Sequence, residues 1–167
     1  MIRRWMALSP PGRLIDACLI ALRRLETKIG ETKPGIPPHI FAETGEVLFW
    51  LYAIGDTDAG QILSPGFQWA RHQYAHGNLI TEIGEYHLGA TLGHLVLDVS
   101  RLDEPPVNVW TPREHIGTYA KARKPTKAER DDYDARLAGK PVVATLWDEL
   151  SEIAQNVVPR DLTPDEP

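Results

Sequence analysis

A chain of 167 residues has room for one domain with its own core and too little for two of ordinary size. Its composition, 43% hydrophobic and 25% charged with Cys18 as the single cysteine, excludes a disordered polymer and an internal disulfide framework, and fits a reducing compartment. The net charge of −5 is unevenly spread, with +4 over residues 1–30, −7 over 31–110 and −2 over the remainder, which is not the broad basic excess of a non-selective nucleic-acid binder.

The basic start from Met1 to Met6 is followed by no long apolar stretch before Pro10 and Pro11, which argues against a signal peptide. The most apolar run, Val47 to Ile54, is far shorter than the roughly 20 residues of a membrane span. These features predict a soluble, cytoplasmic protein with no membrane partner.

The first predicted helix runs from about Pro11 to Gly30, with Ser9 as a candidate cap. Ile15, Cys18, Leu19, Leu22 and Ile29 recur at three- and four-residue spacing, so one face is apolar while Arg23, Arg24 and Lys28 look outward. A loop rich in Pro and Gly follows from Thr32 to His39. In Glu43 to Ile54, the run Val47–Ile54 is apolar all round, which fits either a helix buried on several sides or a central strand; periodicity does not separate the two, and a helix is the expectation. Ser64-Pro65 opens a third helix whose Phe67, Ala70 and Tyr74 share a face, and Gly77-Asn78 ends it.

Residues 82–112 read as a β insertion, in which Leu95–Val99 and Val107–Trp110 form a small hairpin around residues 94–110. Pro112 to Pro125 is a polar, basic connector. A helix from Thr126 to Leu137 is closed by Gly139, and a last one starts at Pro141 with Val143, Leu146, Leu150 and Ile153 as its buried stripe. Trp50, Trp69 and Trp147 fall in apolar helical runs and are expected in the core. The expected architecture is mainly α, a single helical domain over 1–158 with a flexible acidic tail over 159–167.

Four of the six histidines, His72, His76, His87 and His94, fall within 23 residues. Arg71 and His76 lie five apart on the third helix, about 140° around its axis, and a long Arg side chain can swing to line one groove with the histidine. His72 and His76, at i and i+4, stack on one face. Histidine moves protons near neutral pH, and arginine offers fixed donors to phosphate oxygens as negative charge builds.

Arg71-His72 followed by Ala75-His76-Gly77 resembles the signature of HEPN domains, in which Arg, a polar residue and a later His share a helix. Here His72 stands where that pattern usually has Asn. The resemblance implies a HEPN-like helical bundle and a metal-independent endoribonuclease of a toxin–antitoxin or phage-defence system, with no cofactor. It implies Arg71, His76 and His72 as catalytic residues and a homodimer that joins two motifs. Single-stranded RNA and a cognate antitoxin or other protein are the implied partners. Arg113, Lys121, Arg123 and Lys124, in the basic connector, are the candidate RNA contacts. Over a longer stretch the chain is similar to small proteins of actinobacteria and their phages, through Arg71–His76, Val107–Trp110 and Leu137–Val142. That similarity implies no particular activity.

Two other readings stay open. The chain fits a non-catalytic protein-interaction or accessory module, or a metal site in which Glu82, Glu85, His87 or His94 completes a shell around His72 and His76.

Overall fold

The structure is a computed structural model and describes residues 10–31, 38–57, 63–78, 80–84, 107–116 and 123–157. Among these residues the architecture is mainly helical, with one small antiparallel sheet. Helix α1, Pro10–Glu31, buries Cys18, Ala21, Leu22 and Leu25 on the face that the spacing predicts. Helix α2, Pro38–Gly55, packs along it. It begins five residues ahead of the expected Glu43, because Pro38 in a first turn sacrifices no hydrogen bond. Val47, Leu48, Leu51 and Ile54 are fully buried, whereas Phe49 keeps 55% of its surface in water. Arg24 of α1 bonds both Glu43 and Glu46 of α2 across the outside of the pair.

Helix α3, Pro65–Ala75, leads through Ile80 into β1, Thr81–Gly84. Strand β2, Val107–Trp110, lies antiparallel to β1 with Thr81 opposite Trp110 and Gly84 opposite Val107. The expected strand at Val107–Trp110 is therefore in place, but its described partner is Thr81–Gly84; Leu95–Val99 lies outside the described residues. A 3-10 turn, Arg113–His115, follows β2. Helix α4, Lys127–Arg136, and helix α5, Val142–Val157, complete the described chain. The acidic segment 159–167 lies outside it.

Two segments distant in sequence meet at Trp110. Its N–H donates to the Lys140 carbonyl at 3.0 Å, and its own carbonyl accepts from the Gly139 N–H at 2.8 Å. Gly139 makes that turn with φ +71°, a conformation that side chains disfavour. The Trp110 indole is fully buried, donates to Thr145 Oγ1 at 2.6 Å and sits edge-on to Phe67. Trp69 joins it in the core, while Trp50 and Trp147 are only half-buried and pack against the core's rim.

Candidate functional site

Helix α3 carries Arg71, His72 and His76, and the rest of the molecule fixes both of its ends. Ser64 occupies the N-cap position and Pro65 the first turn, but the Ser64 side chain makes no capping bond. Carboxylates from distant helices supply it instead. Glu149 Oε1 accepts from the Ser64 N–H and Asp132 Oδ2 from the Gly66 N–H, each at 2.7 Å. Negative charge is favoured at that end of a helix, where unpaired N–H groups and the dipole converge. Glu149 is buried, which pushes its carboxyl above the usual range, and Arg136 pairs with it at 2.8 Å. A side chain at Gly66 would come within 2.8 Å of the Asp132 carboxylate and 2.9 Å of the Tyr133 main chain. Only glycine allows α4 so close.

The C-terminal end is shaped by Gln73 and Asn78, both buried. The Gln73 carbonyl accepts from the main-chain N–H groups of His76 and Asn78, and the two side-chain amides bond at 2.7 Å. Gly77 turns the chain away with φ +76°. His76 thus sits as the residue that caps α3, at a defined place. Trp69 stands edge-on to Tyr133 with ring centroids 4.7 Å apart, and Tyr74 stacks on Phe41 at 4.4 Å, so α3 is wedged between α4 and α2.

The motif residues divide between two flanks of this helix. Arg71 turns towards α2, where its guanidinium lies 4.1 Å from the centre of the Tyr52 ring. His72 and His76 meet edge to face, ring centroids 4.5 Å apart and planes at 68°. The Arg123 main-chain N–H donates to Nε2 of His72 at 3.3 Å. Partial burial lowers the His72 pKa below its ordinary value, and His76, Arg123 and Arg71 push in the same direction against Glu129. All three motif side chains are half-buried, in contact with the fold and still open to solvent.

Two of the four candidate RNA contacts are occupied by carboxylates. Arg123 grips Glu129 with both terminal nitrogens, one at 2.7 Å, and Arg113 reaches Asp134 at 3.2 Å. Lys124 is exposed; Lys121 lies outside the described residues. Among the described residues no group of three or more His, Cys, Asp or Glu is placed to hold a metal ion, and Glu85, His87 and His94 lie outside them.

Sequence reasoning missed Tyr52, Glu129, Asp132 and Glu149. Glu129 had a signal, since Thr126-Lys127-Ala128-Glu129 is a capping box and the structure forms both of its bonds. The others act over separations that no local pattern encodes. Comparison with family models, curated proteins and solved structures finds no match to this chain. Among the described residues no helix is long and apolar enough to cross a membrane.

Proposed function

We propose that this chain is a HEPN-like, metal-independent endoribonuclease that acts on single-stranded RNA as a homodimer, in a toxin–antitoxin or phage-defence setting. The observation that carries the reading is the contacting His72–His76 pair, open to solvent at the end of a helix held at both termini. His76 is the proton-transfer group. One copy takes the proton of a ribose 2′-hydroxyl, whose oxygen attacks the adjacent phosphorus. The second copy gives a proton to the departing 5′-oxygen, leaving 2′,3′-cyclic phosphate and 5′-hydroxyl ends. Arg71 neutralises the phosphate as its charge builds, and Tyr52 restricts its reach. His72 is a positioning residue. Its imidazole, whose pKa partial burial lowers, meets the His76 ring edge to face and orients it.

The test is cleavage of a single-stranded RNA panel by chelator-treated protein, with variants purified in parallel. His76→Ala and Arg71→Ala are each expected to lose about 10²-fold or more of the rate. His72→Asn, the residue usual in the HEPN pattern, retains most of it. No cleavage by wild-type protein, or cleavage by His76→Ala at the wild-type rate, sinks the proposal.

A second reading, a protein-interaction module, is favoured by the outward side chains of Ile20 and Phe49, 60% and 55% exposed on the two packed helices α1 and α2. It becomes the better reading if no RNA is cut.

A further inference from the structure

His72 and His76 stand one turn apart with their rings already in contact, 4.5 Å between centroids. Histidines at i and i+4 are the pair that helical zinc sites use, because one turn brings both imidazoles over the same point of the surface. Two imidazole nitrogens bound at about 2.0–2.1 Å to one tetrahedral ion lie about 3.3 Å apart, which sets their ring centroids about 5 Å apart. The observed centroids, 4.5 Å apart with ring planes at 68°, lie near that separation, and the rings must rotate about their side-chain torsions to turn one nitrogen of each towards a shared ion. We propose that His72 and His76 form a two-histidine chelate for a borderline divalent transition-metal ion, such as zinc, nickel or copper(II), completed by water, and that the bound ion blocks the site on α3.

The state of the ligands suits this chemistry. Nε2 of His72 accepts a hydrogen bond from the Arg123 N–H, so it presents a lone pair and not a proton. At 3.3 Å that bond is at the long end of the range, and an ion at Nε2 replaces it. Of the nearby cations, Arg123 is paired with Glu129 and the Arg71 guanidinium lies over Tyr52. Glu129 supplies no third ligand, because its two oxygens are taken by Arg123 and Thr126. Among the described residues the site therefore offers two protein ligands, which is fewer than a structural zinc centre uses.

The blocking effect rests on the ribonuclease reading; the chelation does not, and calorimetry separates them. Chelator-treated full-length protein titrated with zinc chloride at pH 7.5 is expected to take up one ion per chain, copper(II) more tightly than zinc, with no uptake of magnesium. Loss of an outer-shell partner of a metal costs about 10–100-fold in affinity, so losing a ligand costs at least about tenfold. That loss is expected for His72→Ala, for His76→Ala and for the more conservative His72→Gln, each checked for wild-type helicity by circular dichroism. His115→Ala and the His87→Ala/His94→Ala double variant keep wild-type affinity. No zinc uptake by wild type, or wild-type affinity in any of the His72 or His76 variants, overturns the chelate. If zinc binds but no RNA is cut, the chelate stands and the ribonuclease reading falls. If RNA is cut equally fast with the site saturated, the blocking role falls.

Discussion

Tyr74 stacks against Phe41 because α2 has a glycine, Gly45, where the Tyr74 ring crosses it. A side chain at Gly45 would stand 1.9 Å from Tyr74 Cζ and 2.0 Å from its hydroxyl oxygen, deep inside van der Waals contact. The ring is half-buried and stacked on Phe41, so making room for a side chain means swinging it off that contact. Gly45→Ala is therefore expected to destabilise the protein by about 1–3 kcal/mol, the usual cost of forcing extra volume into a packed site. Urea unfolding measures it, and the Gly45→Ala/Tyr74→Ala pair should lose less than the sum of the two single changes. Additive losses would show that the clash is not what the glycine avoids. Cys18 illustrates the opposite case at the same scale. It fills space on α1 as a small apolar group, and burial pushes its thiol up to about 12, out of the range of a nucleophile near neutral pH.

At the scale of elements, helix α4 starts where Thr126 and Glu129 satisfy each other's main-chain N–H groups and Glu129 also anchors Arg123. The Arg123 guanidinium and the Thr126 donors hold the Glu129 carboxyl at about 2, well below the usual carboxylate range. A carboxyl depressed on folding adds stability that is complete above its unfolded value, near 4.5, and fades as pH falls towards about 2. Glu129→Gln should thus lower the melting temperature at pH 7, and the difference should shrink below pH 4.5 and be largely gone by about pH 2, measured by scanning calorimetry on both proteins. A gap that stays constant across the window would mean that this ion pair does not govern the start of α4. The same element shows what sequence could reveal. All five described helices were legible: three- and four-residue spacing marked the first and last, and cap, proline and glycine signals framed the third and fourth, since these need no tertiary information. For the second, all-round apolarity left a buried strand equally open. The sequence pattern placed the start of α2 late because Pro38 looked like part of a loop. β1 left no signal, because Thr81-Glu82-Ile83-Gly84 is too short to alternate recognisably and its partner lies across a long intervening segment. The carboxylates on the N-terminus of α3 come from 66 and 85 residues away, and such pairings exist only once the helices have packed.

On the scale of the whole molecule, α3 is the element everything else holds: α4 and α5 at its N-terminus, α2 along Tyr74 and Arg71, and the Gln73–Asn78 clamp at its end. The sequence showed which residues share this helix, but not that Arg71 would lean on Tyr52 while the histidines meet Arg123, because helical angles fix directions and not contacts. The proposed nuclease needs two copies of His76, so the face bearing that residue should be the dimer interface. Trp69 cannot test this, since it is buried against Tyr133 and a charge there would unfold the chain. Ala75 can. It is exposed, adjoins His76 and ends α3 without contributing to the core, and helix positions accept glutamate readily. Wild-type protein is expected to sediment as a dimer at micromolar concentration, and Ala75→Glu as a folded monomer with wild-type helicity by circular dichroism, because paired carboxylates across a two-fold interface repel. RNA cleavage should fall with dimerisation, while zinc uptake by His72 and His76 persists in the monomer. A wild-type monomer at high micromolar concentration, or an Ala75→Glu monomer that cuts RNA at full rate, removes the need for a second copy and with it the two-histidine proton transfer proposed for the site.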